Sequence, residues 1–276
     1  MVDPGVITAF IVNIVICFGL PIGCILYLLI AKKRAIIPVL VGAAVFVVFQ
    51  LIIRIPLLQY VLPSMPWYAD MLHRPWLIGI FLGLTAGLFE EGGRYLGYRT
   101  LLKNRSRWID GFAFGVGHGG IEAITLVGLT NISNLALALS INSGQFDQLA
   151  AQLPADVASQ IVSQLTALQP LDAYLAGIER IFAFIIQIAL SLLVLISVRE
   201  RKLWIAGLAV LAHMLIDAPM VILPEVFGAN IYQIEMFVAA VAVLALVFII
   251  LSRRAFRKPP KNNADMEPAP GAPKSE

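Results

Sequence analysis

The chain has 276 residues, 59% of them hydrophobic and 13% charged, with a formal charge of +3 and a mean hydropathy of +0.87. A soluble domain carries about 25% charged residues, so this composition excludes one and assigns most of the chain to a lipid bilayer. The basic residues are gathered in a few short clusters between apolar runs, which reports membrane topology and gives no footing to nucleic acid.

A first span is predicted over 6–30. Met1-Val2-Asp3-Pro4 lacks the basic start of a signal peptide and the apolar run after it is too long for one, so the segment reads as a retained helix. Its two cysteines, Cys17 and Cys24, stand at i and i+7 on one helix and are too far apart to bridge each other. A second span is predicted over 36–58, with Arg54 near its far end, where a long side chain can snorkel to the headgroups. The connection 62–74 follows, with Trp67, Tyr68 and then Trp76 as interface anchors. Further spans are expected over 75–102, 108–139, 174–198, 203–223 and 231–251. Between the fourth and fifth, 142–172 is polar and free of Lys and Arg. It carries Val157, Ile161, Leu165 and Leu168 at helical spacing, as an amphipathic helix lying on the outer surface would. The Pro-rich polar tail 258–276 is expected to be disordered.

Alternate connections hold Lys32-Lys33-Arg34, then Arg99, Lys103, Arg105 and Arg107, then Arg199, Arg201 and Lys202, then Arg253, Arg254, Arg257 and Lys258. The positive-inside rule puts that set in the cytoplasm. The expected fold is an all-α, polytopic transmembrane bundle of about seven spans forming one domain over 1–257. Its N-terminus is outside, and its C-terminus is in the cytoplasm of a bacterial cell whose plasma membrane it crosses repeatedly.

The third span contains Glu90, Glu91 and Arg94, and one charge at bilayer depth costs about 3 kcal/mol or more. Glu90 and Arg94 are i and i+4, neighbours on one face, whereas Glu91 lies about 100° round the helix and is left over. Counting about 1.5 Å per residue from the cytoplasmic ends puts Glu90 and Glu91 roughly 16 to 18 Å deep, and His118 and His213 each roughly 15 Å deep. Glu122 and Asp217 follow those histidines by one turn on the same faces. Glu179-Arg180 falls outside this layer, roughly 28 Å from the cytoplasmic end of its span, as a local pair or as a lid over the site.

Such a layer can activate water. A desolvated carboxylate serves as general base, an imidazole holds the same water, and further donors stabilise an oxyanion. Two histidines with a carboxylate are also the ligand set of a catalytic zinc, and His118 with His213 are the candidate ligands, although the sequence leaves the cofactor open. Gly115, Gly117, Gly119 and Gly120 would let a neighbouring helix or a substrate backbone approach His118 closely.

Glu90-Glu91-Gly92-Gly93-Arg94-Tyr95, His118-Gly119-Gly120-Ile121-Glu122, Glu179-Arg180-Ile181-Phe182-Ala183, and His213 with Asp217 together resemble the YhfC family of bacterial intramembrane metalloproteases. That family is similar in turn to the CAAX-prenyl-protease and bacteriocin-processing group of membrane peptidases. The group's second motif is matched by Phe114 with His118, and its third by His213 with Asp217, apart from Asp in place of Asn. Its first motif is matched less closely, because Arg94 follows Glu91 after two residues instead of three, and this leaves open which glutamate is catalytic.

The resemblance implies that Glu90 or Glu91 acts with His118 on a water while His213 and Asp217 help to stabilise the oxyanion. Arg94, Glu122, Glu179 and Arg180 would act in support. It is compatible with a metal, and also with a metal-free scheme in which Asp217 would have to be protonated to donate. The reading is an intramembrane endopeptidase acting on a membrane-protein or peptide substrate, its site opening toward the cytoplasmic half. Its competitors are a proton-coupled transporter or channel and a non-catalytic assembly or immunity factor.

Overall fold

The computed structural model describes residues 1–31 and 35–257. Lys32-Lys33-Arg34 and the segment 258–276, expected to be disordered, lie outside the described residues. Every regular element among the described residues is a helix. The chain runs α1 (Pro4–Ala31), α2 (Ile36–Phe46), α3 (Pro66–Leu72), α4 (Pro75–Thr100), α5 (Trp108–Glu122) and α6 (Leu129–Asn142). It continues with α7 (Phe146–Ala150), α8 (Ala155–Ala167), α9 (Pro170–Glu200), α10 (Leu203–Phe227) and α11 (Ile231–Ser252).

Proline opens α1, α3, α4 and α9, where its missing N–H would have had no intrahelical partner in any case. Gly228, at φ 64°, ends α10 in the left-handed conformation that a C-terminal cap requires. Asn230 then caps α11, its side chain accepting from the Gln233 N–H at 3.0 Å while Gln233 accepts from the Asn230 N–H at 2.9 Å. Asn230→Ala should therefore cost about 1 kcal/mol, read as a lowered melting temperature in detergent.

Two α-helices pass without interruption into wider π-helical turns, in which N–H groups bond five residues back. One is Val47–Arg54, which prolongs α2 and is followed by a further π stretch over Leu57–Val61, and the other is Ala123–Gly128, which joins α5 to α6. With these extensions six helices are long and apolar enough to cross a bilayer: Pro4–Ala31, Ile36–Ser64, Trp108–Asn142, Pro170–Glu200, Leu203–Phe227 and Ile231–Arg257. Counting the charged α4 with α3, to which it is joined at a bend of 114°, brings the candidate spans among the described residues to as many as seven. The protein is an integral, multi-pass helical bundle.

The second and fourth spans run past their expected ends at 58 and 139, as helical turns continue over Leu57–Val61 and Leu62–Ser64 in the one and through α6 to Asn142 in the other. The segment 142–172 forms α7 and α8. Leu165 is buried there, and Ile161 and Leu168 pack beside it on Val2 and Val6 of the N-terminal region and on Ala138 of α6.

α4 lies along α10, and α5 is held between α2 and α9. Glycine allows both approaches. A Cβ on Gly117 would fall 1.9 Å from the Val39 carbonyl oxygen, and one on Gly42 would fall 2.1 Å from that of Phe114. The backbones of α2 and α5 therefore touch directly, one residue away from His118.

Candidate functional site

α4 presents Glu90, Glu91 and Arg94 to the interior, all three buried. Arg94 is 0% exposed, and its guanidinium forks between the acids. Nη1 donates to Glu91 Oε1, and Nη2 donates to Glu90 Oε2 at 3.1 Å and to Gln187 Oε1. The expectation that Glu91 is left over is thus corrected. A guanidinium carries donors on two terminal nitrogens, so it reaches i−3 and i−4 together.

Side chains from four other helices converge on Glu90. Gln50, in the π-helical extension of α2, donates to Oε1. His118 of α5 has Nε2 2.9 Å from Oε2, and Gln187 of α9 donates to Oε2 at 3.2 Å. His213 of α10 has Nε2 3.8 Å from Oε1. The other nitrogen of His213, Nδ1, meets Glu91 Oε1 at 2.7 Å, and Nε2 also faces Asp217 Oδ2 at 3.5 Å. His118 is 0% exposed and packed between the rings of Phe46 and Phe114.

A cavity of about 200 Å³ opens from this cluster, lined by Glu90, His213 and Asp217 together with Gln50, Arg54, Glu122, Glu179, Arg180 and Gln187. Arg180 Nη1 reaches Glu122 Oε1 at 3.3 Å, Nη2 pairs with Glu179, and Gln187 donates to Glu122 as well as to Glu90. Glu179-Arg180 thus belongs to the same polar network instead of lying beyond it. Gln187 stands seven residues after Arg180, two turns along one face of α9, and spans the depth between them.

The cavity extends from Glu90 toward Arg54, Leu126, Glu179 and Met220. That direction leads away from the ends of α4, α5, α9 and α10 that carry the basic loops, where the sequence placed the opening on the opposite side.

All nine side chains singled out from the sequence meet in this network, and three partners join them that the sequence reading missed. Gln50 and Gln187 are uncharged, yet each is a lone amide inside an apolar span, which was a usable sign. Arg54 does not reach for headgroups. It donates to Leu82 O at 2.7 Å, Gln50 Oε1 at 3.2 Å and Thr85 Oγ1 at 3.3 Å.

Glu90, His118 and Glu122 each offer a ligand atom, and the three atoms lie within 4.8 Å of one another. His213 is not one of this trio, in contrast to the His118 and His213 pair named from the sequence. The network joins five carboxylates (Glu90, Glu91, Glu122, Glu179, Asp217) to three guanidinium groups (Arg54, Arg94, Arg180) and two imidazoles (His118, His213), so it offers the oxygen and nitrogen donors that a metal ion takes. Two carboxylates with one imidazole also form a three-ligand set of the kind that leaves a position open for water.

Residues 16–247 match the family described as YhfC intramembrane metalloprotease. The chain is 36% identical over 245 residues to a Bacillus subtilis (strain 168) protein described as "Uncharacterized membrane protein YhfC", covering 88% of this chain and 94% of the relative. No solved structure matches it. A match over most of the chain, together with that degree of identity, places this protein in the YhfC intramembrane metalloprotease family.

Proposed function

We propose that the protein is an intramembrane endopeptidase of the bacterial plasma membrane, hydrolysing peptide bonds in membrane-embedded or membrane-proximal substrates. The observation that carries this reading is the Glu90 carboxylate at the floor of a cavity inside the bundle, contacted from α2, α5, α9 and α10. With the basic loops in the cytoplasm, the cavity faces the outer half of the bilayer.

Glu90 is the general base: water seated between it and His213 gives Glu90 a proton as its oxygen attacks the scissile carbonyl. Arg180 lines the same cavity, and its guanidinium, held by Glu122 and Glu179, is the donor for the developing oxyanion. Glu91 does not touch substrate. It holds His213 at Nδ1, so that Nε2 faces Glu90 and can pass the proton on to the leaving amine. In a metal-loaded form Glu90, His118 and Glu122 would instead hold a zinc ion, which would polarise the carbonyl and acidify its water; Glu90 would then be a ligand, and His213 the base.

Peptide N-termini generated in membranes carrying the wild-type chain, mapped by mass spectrometry, should include a set missing with Glu90→Gln. Purified Glu90→Gln should cleave such a substrate about 10²- to 10⁴-fold more slowly. Identical sets of N-termini from the two proteins would overturn the assignment.

A further inference from the structure

Gln187 is 6% exposed and touches three charged side chains at once. Its Oε1 accepts from Arg94 Nη2, and its Nε2 donates to Glu90 Oε2 at 3.2 Å and to Glu122 Oε2 at 2.5 Å. Arg94 can only donate, so it fixes which end of the amide is oxygen and turns both N–H groups toward the two carboxylates. α5 presses on the stem of this side chain, a closeness that glycine permits: a Cβ on Gly119 would fall 2.9 Å from Gln187 Cβ. The two carboxylates held in this way are the ones that form, with His118, the three-ligand set for a cation.

We propose that Gln187 keeps this centre in its metal-free form, its amide holding the carboxylate lone pairs that a divalent cation would take. The inference rests on the peptidase reading above and chooses between its two forms. The donors around Glu90 support it. Oε2 faces Gln187 Nε2, Arg94 Nη2 at 3.1 Å and His118 Nε2 at 2.9 Å. A carboxylate oxygen has two lone pairs, so three N–H groups leave it none for a metal. His118 belongs with the donors because an ionised carboxylate only accepts, which puts the imidazole proton on Nε2. To ligate a cation through Nε2, the ring would have to carry its proton on Nδ1. That atom is buried without a hydrogen-bond partner, whereas the second nitrogen of a metal-bound histidine ordinarily has one. Oε1 of Glu90 is placed differently. Its hydrogen-bond donor among the described residues is Gln50, and it faces His213 Nε2 at 3.8 Å, which leaves a lone pair for the water that the base deprotonates. Gln187 is thus a positioning residue: it commits Oε2 to the protein and leaves Oε1 to do the chemistry.

The test titrates zinc chloride into the purified full chain by calorimetry, with no substrate present. Gln187→Glu keeps the acceptor for Arg94 and puts an oxygen in place of the N–H groups, and Gln187→Met removes the amide at similar length. Each should bind zinc about 10- to 100-fold more tightly than the wild-type chain, the range over which groups around a metal site tune its affinity. Adding Glu122→Gln to either should abolish the gain, which locates the ion here and not at a surface carboxylate. Circular dichroism establishes that the variants are folded. Zinc affinity that stays at the wild-type level in both folded variants overturns the inference, and so does a gain that survives Glu122→Gln. A second measurement needs no variant. A zinc chelator should leave cleavage by the wild-type chain unchanged. Cleavage that the chelator abolishes and added zinc restores would sink the inference and leave the peptidase reading standing. No cleavage with or without zinc would sink that reading, and the titration would still decide what Gln187 does.

Discussion

Arg94→Met should lower stability by about 3–5 kcal/mol, because it removes the guanidinium that touches both Glu90 and Glu91 and leaves two buried carboxylates short of a partner. The loss is measurable as a shift in the SDS titration midpoint in mixed micelles. Arg94→Lys should recover little of it. A single ammonium on a flexible stem cannot hold Glu90, Glu91 and Gln187 in the fixed fork that the guanidinium provides. Combining Arg94→Met with Glu91→Gln should cost less than the sum of the separate changes, since the second removes one of the charges stranded by the first. A cost below about 1 kcal/mol for Arg94→Met would mean that the acids find another counter-charge and that Arg94 does not organise the site.

Gly117→Ala should cost about 1–3 kcal/mol or more, although alanine is the better helix former. The added methyl would sit 1.9 Å from the Val39 carbonyl oxygen and 2.8 Å from its Cα, and backbone cannot rotate aside as a side chain can. α2 and α5 must therefore separate. His118 and Gln50, which contact Glu90 from those two spans, would shift with them, so the proposed proteolysis should fall with stability. Gly92→Ala is the control. A Cβ there meets nothing within 4 Å, and its change should be neutral or stabilising by up to about 1 kcal/mol. Equal destabilisation by the two substitutions would show that helix contact is not what glycine serves at position 117.

The sequence disclosed the bundle because apolar runs of about 20 residues admit little else, and because the basic clusters mark the ends of those runs. It also pointed to Glu90, His118 and His213 together. Counting along straight helices gives depth well, and these residues fall at one depth. Counting does not give azimuth across helices. Which nitrogen of His213 meets Glu91, and that Glu122 instead of His213 joins Glu90 and His118, depend on how α5, α9 and α10 are rotated against α4. Gln50 and Gln187 escaped notice because their amides carry no charge to mark them. Arg54 was misplaced because snorkelling is the default for a cation near a span end, and only the packed helices show Leu82 O and Thr85 waiting for it.

A π-helical turn holds more residues than the α-helical turn it replaces, so everything beyond it is rotated relative to a plain α-helix. Gln50 and Arg54 lie within such a stretch, and another begins immediately after Glu122. Insertion or deletion of a single residue, more than any exchange of side chains, is the genetic event by which a descendant of this chain would re-aim the outer wall of its cavity. A relative that lacked the π turn, aligned column by column without a gap in that stretch, would have the wrong residues assigned to the positions of Gln50 and Arg54.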